Sequence, residues 1–150
     1  MHSIQNKKAF LRSLPLLASM IGKQYGVSVL FGAEGAATDG KTIYLPNLPL
    51  DCDDTLLMLA RGYIDHESGH LRFSDFNALR EADPSPFCKN LWHIVEDWWT
   101  ERKLASIFPG CRVNCEIVAN HIFDSAYVKV QPDEEAAIIP SWFLYSLRAM

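Results

Sequence analysis

Two histidines and a glutamate within five residues are the part of this sequence whose types and spacing could do metal chemistry. His66, Glu67 and His70 form the pattern His-Glu-Ser-Gly-His. On an α-helix, residues four apart lie on one face, so both imidazoles can reach a single ion. In a chain of this composition, the pattern arises by chance roughly once in a hundred sequences. It therefore predicts a metal site, with His66 and His70 as ligands, over the alternative of two partly exposed surface histidines.

The glutamate inside this motif has a role of its own. Glu67 projects about 100° around the helix from His66, toward the space beside such an ion. Its carboxylate could hold and deprotonate a metal-bound water whose pKa the ion has already lowered. The motif thus predicts hydrolysis with Zn²⁺ as cofactor, Glu67 as the general base and a peptide or protein as substrate.

A catalytic zinc ion also needs a third protein ligand and keeps its fourth position for water. One known arrangement places another histidine shortly after the motif, but residues 73–79 contain neither His nor Gly. Another arrangement takes a glutamate from a later helix, which favours Glu96. Its neighbour Asp97 could accept a hydrogen bond from the outer nitrogen of a zinc-bound histidine. His93 stays open as a competing ligand.

The environment of the Glu96-Asp97 pair supports this interpretation. The surrounding tryptophans and Val95 predict that the helix is mostly buried, and a buried pair of carboxylates is costly unless a metal or a histidine engages it. The alternative is a solvated helix face with no metal-binding role.

The elements that must position these residues follow from turns, caps and apolar spacing. A helix is predicted over 4–25, with Gly26 as its C-terminal cap, and a strand over 27–31. An Asp39-Gly40 turn predicts a hairpin between strands 36–38 and 41–45. Four helices are then expected over 53–73, with a cap at Asp51, Asp53 or Asp54, over 86–107 after a Ser85 cap, and over 112–127 and 133–150.

This order predicts an α+β fold, mostly helical with a small antiparallel sheet. A chain of 150 residues has the size of one domain. The last predicted helix, 133–150, ends with no capping residue. We therefore expect residues 1–150 to form a single domain that is the N-terminal part of a longer protein.

Composition excludes several function classes. Fourteen Lys and Arg against eighteen Asp and Glu give a net charge of -4, which argues against a dedicated nucleic-acid binder. The most apolar stretch, 14–21, is far shorter than the roughly 20 residues needed to span a membrane.

The four cysteines are too few and too scattered for a disulfide framework. Cys111 and Cys115 could join His121 around a metal, but this set lacks a fourth ligand. Buried free thiols and a cytoplasmic location are predicted instead.

Three segments together resemble a known family. They are residues 38–46 (Thr-Asp-Gly-Lys-Thr-Ile-Tyr-Leu-Pro), the motif at 66–70, and the element Glu-Asp-x-x-x-Glu-Arg at 96–102. In this combination, over roughly 36–103, the chain resembles the gluzincin-like, metallopeptidase-like N-terminal part of cobaltochelatase CobT-type proteins. Related von Willebrand A-domain proteins of bacteria and mobile elements share the layout.

The resemblance implies a minimal zincin-like domain with His66, His70 and Glu96 as zinc ligands and Glu67 as general base. It implies partners as well: an AAA+ ATPase and a C-terminal von Willebrand A domain. The strand ending near Tyr44 would be an edge strand that can pair with an extended peptide. The family element usually has Asn and Arg where this chain has His93 and Trp99.

Two functions follow as expectations. The first is a zinc metallopeptidase of gluzincin type. The alternative is a non-proteolytic metal-binding scaffold in a chelatase-type assembly.

Overall fold

The structure, a computed structural model, describes residues 2–49 and 53–124. It consists of α1 (His2–Ile21), β1 (Ser28–Ala33), β2 (Ala37–Thr38), β3 (Thr42–Pro46), α2 (Asp54–Phe73), α3 (Phe76–Ala82), α4 (Pro86–Ile107) and α5 (Pro109–Asp124). The predicted α+β class is confirmed. The helix predicted over 133–150 lies outside the described residues. In the part of the chain that is described, no helix has the length and apolar character needed to cross a membrane.

The three strands form one small sheet in the order β1-β3-β2. β2 and β3 form the predicted antiparallel hairpin. β1 pairs parallel with β3, so the sheet is mixed where the sequence predicted an antiparallel one. The cause is the chain path: β2 lies between β1 and β3 in sequence, and the chain reverses direction twice, once between β1 and β2 and once between β2 and β3. β3 is therefore the central strand and buries Ile43 and Leu45 completely.

The hairpin turn differs in detail from the two-residue type that the sequence suggested. Only Gly40, with φ of 92°, has a positive φ in this turn. Asp39 instead uses its side chain, which accepts hydrogen bonds from the backbone N–H groups of Lys41 (2.9 Å) and Thr42 (2.7 Å). These bonds lower the pKa of Asp39 and fix the loop that leads into β3.

Helix α2 is the centre of the molecule. Asp53, one of three predicted caps, accepts a hydrogen bond from the Leu56 backbone N–H at 2.9 Å and so starts the helix. α2 packs against α1, β2, β3, α4 and α5. Its residue Ile64 is fully buried in the same core cluster as Leu14 of α1 and Ile43 of β3. The helix that carries the motif is therefore held on several sides.

A fully buried carboxylate ties α2 to α5. Asp65 accepts hydrogen bonds from Arg61 Nε at 2.9 Å and from Asn114 Nδ2, on α5, at 2.7 Å. A buried charge is tolerated only with such partners, and removing one of them would leave it uncompensated. The bonds fix the position of α5 directly beside His66.

Helix α4 is less buried than the sequence predicted. Its side chains Trp92, Val95 and Trp99 are 37%, 43% and 41% exposed, and the buried positions along it are Thr100 and Leu104. The expectation of a mostly buried helix is wrong, because within the described part of the chain α4 packs with one face, against α2 and α5.

The close contact between α2 and α5 predicts that one added methyl group at Gly62 destabilises the protein. A Cβ at Gly62 would lie 2.5 Å from the backbone oxygen of Asn114 and would clash with Val118 Cγ2. Because the α5 backbone would have to move to relieve this clash, we expect Gly62→Ala to lower the free energy of unfolding by about 1–3 kcal/mol in a urea titration.

Gly69 provides the matched control on the same helix. A Cβ there would meet Leu104 Cδ2 at an ordinary 3.6 Å, and alanine favours a helix interior by up to about 1 kcal/mol over glycine. Gly69→Ala should therefore be neutral or stabilising. Equal losses in the two variants would contradict the close approach at Gly62.

Candidate metal centre

The predicted motif lies on the second half of α2, where His66 and His70 point toward α4. Both side chains are largely buried, with 20% and 12% of their surface exposed. The rings meet edge to face, with centroids 4.8 Å apart. The helical spacing thus brings the two imidazoles together as the sequence predicted.

The inner nitrogens of these rings form a triangle with one carboxylate oxygen of α4. His66 Nε2 and His70 Nε2 are 3.2 Å apart. Asp97 Oδ1 lies 3.1 Å from His70 Nε2 and 3.9 Å from His66 Nε2. In a tetrahedral site with bonds of about 2.0–2.1 Å, donor atoms are about 3.3 Å apart. These three atoms, which we call the donor triangle, therefore have the size of one face of such a site.

The outer nitrogens of both histidines contact oxygen atoms. His66 Nδ1 lies 3.0 Å from Glu101 Oε1 on α4, and His70 Nδ1 lies 2.9 Å from Ser74 Oγ at the end of α2. When Nδ1 carries the proton and donates it to these acceptors, each Nε2 presents a lone pair. Two lone pairs 3.2 Å apart repel unless a proton or a cation lies between them, so the arrangement suits a cation.

Electrostatics point in the same direction. Burial lowers the pKa of His66, but its contacts with Cys115 and Glu101 and the charges of Glu67 and Asp97 outweigh burial and raise this pKa well above its usual range. Without a metal, the acidic neighbours therefore draw a proton onto the imidazole. A metal ion bound to His66 would place its positive charge among the same acidic side chains.

The carboxylate of Asp97 responds in the opposite sense. Its burial alone would raise the pKa, but the hydrogen bond from His70 and the charges of the nearby histidines lower it below its usual value. Asp97 is thus held ionised, as a metal ligand must be.

Glu67 lies beside the donor triangle and is only 5% exposed. Burial raises its pKa, while the charges of His66 and His70 act against that rise. The side chain lines two cavities, both of which are also lined by His66 and Asp97 of the triangle. It is therefore in the place that the sequence predicted for a base beside the ion.

Glu96 and His93 lie outside the donor triangle. Glu96 Oε2 accepts a hydrogen bond from Trp92 Nε1 at 3.1 Å, one turn back on α4. Both residues line the same cavity as the triangle. Among the described residues, the carboxylate that groups with His66 and His70 is that of Asp97. Asp97 therefore lies nearer to the two histidines than Glu96 does, and the assignment of the third ligand stays a prediction.

Two contacts of the site were missed by the sequence analysis, those of Glu101 and Ser74. Glu101 belongs to the element at 96–102 that resembles the family, but the sequence pattern predicted no contact for it. The signal was available in the spacing, because Glu101 follows Asp97 by four residues and so lies on the same face of α4. Ser74 follows His70 by four residues in the same way.

The triangle opens into a cavity of about 400 Å³ bordered by β2 and α4. β2 is an edge strand of the sheet, whereas β3, which carries Tyr44, pairs on both sides. The expectation that the Tyr44 strand is a free edge is therefore wrong. Among the described strands, the free edge next to the site belongs to β2, through Ala37 and Thr38.

Comparison with known proteins gives one match of nearly full length. The chain matches the family model described as "Cobalamin biosynthesis protein CobT" over residues 5–145. No curated protein and no solved structure matches it. The match confirms the CobT-type part of the resemblance and includes both helices of the candidate site.

The raised pKa of His66 predicts how the stability of the metal-free protein depends on pH. The folded pKa lies above the unfolded value of about 6.5. The stabilisation from protonated His66 is therefore complete below that value and is lost as pH rises through the folded pKa. We expect the free energy of unfolding, measured with a chelator present, to decline over this range.

His66→Gln should remove most of that decline. His121→Gln is the matched control, because His121 is an exposed histidine on α5, and it should leave the decline in place. An unchanged pH profile in His66→Gln would contradict the assignment.

Proposed function

We propose that this chain, which belongs to the CobT family of cobalamin biosynthesis proteins, is a metal-binding domain of a chelatase-type assembly. The observation that carries the proposal is the donor triangle of His66 Nε2, His70 Nε2 and Asp97 Oδ1. Its spacing suits one ion, and both outer nitrogens already have oxygen partners. Such partners orient ligating histidines in metal sites.

The ion that this donor set suits best is Zn²⁺. Two imidazoles and one carboxylate, with a fourth position open to a cavity, are typical of zinc sites that keep a water ligand. In this proposal Asp97 is the third ligand, while Glu96 and His93 lie along the cavity wall. The charges of Asp97 and Glu67 would balance those of the ion.

The proposed partners are an AAA+ ATPase and a von Willebrand A domain, as the resemblance implies. The exposed side chains of Trp92, Val95 and Trp99 on α4 support a role in contacts with other proteins. The cysteines at 88, 111 and 115 are free thiols, which supports a reducing compartment such as the cytoplasm.

A second candidate function is peptide hydrolysis of gluzincin type, and Glu67 is the observation that favours it. A bound zinc ion would supply an activated water. Glu67 would take the proton from that water and pass it to the leaving amine. The edge of β2 could pair with an extended peptide beside the triangle. The cavity of about 400 Å³ leaves room for such a segment.

One experiment separates these two functions. Wild type, Glu67→Gln and His66→Ala are purified without chelator, their zinc content is measured by elemental analysis, and each is incubated with unstructured peptides. We expect one zinc per chain in the wild type and in Glu67→Gln, and a large loss in His66→Ala. Cleavage by the wild type alone would establish the peptidase, whereas zinc binding without cleavage supports the metal-binding domain. A wild type without zinc would contradict both.

The choice between neighbouring carboxylates gives a matched pair of variants. We expect Asp97→Asn to weaken zinc binding by at least about 100-fold in a calorimetric titration. Loss of a residue that only orients a ligand typically lowers metal affinity by about 10–100-fold, and Asp97 is proposed as a ligand itself. Glu96→Gln should change the affinity little, because its carboxylate contacts Trp92. The reverse order of effects would instead establish Glu96 as the ligand.

A further inference from the structure

A second group of potential ligands lies on the other side of the His66 ring. The atoms are a ring nitrogen of His66, a carboxylate oxygen of Glu101 and Sγ of Cys115, all within 4.8 Å of one another, and the ring nitrogen that contacts Glu101 is Nδ1, at 3.0 Å. Cys115 is 5% exposed, and the Glu101 side chain is 16% exposed. The three come from α2, α4 and α5, the helices that pack together at this point.

We propose that these three side chains, the thiol site, form a second position for one thiophilic divalent ion such as Zn²⁺ or Co²⁺. A thiolate, a carboxylate and a neutral imidazole are a donor set that such ions accept. Their formal charges cancel those of a divalent ion, which matters because an uncompensated charge is costly in a buried place. On binding, the Cys115 thiol loses its proton to the solvent and a bond from sulfur to the metal forms.

The thiol site and the donor triangle share His66, and this sharing makes them alternatives. A neutral imidazole has one nitrogen with a lone pair and one N–H. When Nε2 binds an ion in the triangle, Nδ1 keeps its proton and donates to Glu101. When Nδ1 binds an ion in the thiol site, Nε2 carries the proton and can donate to His70 Nε2, which lies 3.2 Å away. One ion per chain therefore distributes between two positions on opposite sides of one ring.

The surroundings provide a route between the two positions. A cavity of about 300 Å³ is lined by His66, Glu101 and Cys115 and also by Glu67 and Asp97 beside the triangle. This cavity is the path that we propose for an ion between the two positions, past acidic side chains. Such a pair of positions fits a domain that accepts a metal ion and hands it on.

The sequence had suggested a different cysteine set, which the fold does not bring together. Cys111 lies one turn before Cys115 on α5 but contacts Asp65, and burial together with this contact raises the pKa of its thiol to about 12. His121 is exposed near the end of α5. Within residues 2–49 and 53–124, the cysteine that groups with other ligands is Cys115.

The test is the absorption spectrum of the protein with one equivalent of Co²⁺. A thiolate ligand gives a charge-transfer band in the near ultraviolet, while nitrogen and oxygen ligands give only the weaker visible bands of the metal. We expect the band in the wild type and its complete loss in Cys115→Ser, which should still bind one equivalent through the triangle. Cys111→Ser is the matched control, one helical turn away, and should keep the band.

A second variant makes the result independent of whether Cys115→Ser folds. Asp97→Asn weakens the triangle, so the ion should shift to the thiol site and the band should grow. A wild type that binds Co²⁺ without this band, a band that persists in folded Cys115→Ser, or loss of the band in Asp97→Asn would overturn the thiol site.

This inference goes beyond the proposed function, and the two can fail separately. Failure of the thiol site leaves the visible bands and the stoichiometry intact. If the triangle does not bind the ion, the near-ultraviolet band stays in place, and His70→Ala leaves the affinity for Co²⁺ unchanged.

Discussion

The close packing of α2 against α4 and α5 is the constraint on which the site depends. α2 supplies His66 and His70, and α4 supplies the carboxylates of Asp97 and Glu101 that face His66. The missing side chain of Gly62 lets α5 approach the α2 backbone, and the buried Asp65 fixes the two helices with hydrogen bonds. Sub-ångström changes in this packing would alter the donor distances, because protein interiors adjust little to added volume.

The charge distribution around His66 is a direct result of that packing. Glu101 contacts one nitrogen of the ring, and Asp97 lies 3.9 Å from the other. Carboxylates on both sides of one imidazole stabilise whatever positive charge the ring region carries, whether a proton or a metal ion. The two cations compete for this place, so metal affinity in such a site must fall as the solution becomes more acidic.

Local signals in the sequence predicted most of the helices, while relations between elements were harder to predict. Ser85 and Pro86 start α4 as expected, and Asp53 caps α2. The choice between Glu96 and Asp97 could not be made from the sequence for a physical reason: neighbouring helical residues differ by about 100° in direction, and only the packing of α4 on α2 decides which one faces the histidines. The parallel pairing of β1 with β3 likewise depends on a non-local contact that no turn signal reveals.

Glu67 is the residue at which the two proposed functions make different physical demands. In a domain that only holds an ion, the Glu67 carboxylate, which is 5% exposed, would balance the charge of the ion and so offset the cost of its burial, whereas a peptidase also needs it as a base. Burial raises the pKa of Glu67 in the metal-free protein, whereas a divalent ion beside it would favour its ionised form. Metal binding would therefore convert this side chain into a base at the place where a water ligand is expected. A binding domain that carries such a side chain retains the chemical means for hydrolysis, and the burial cost is the physical reason to regard Glu67 as functional in either case.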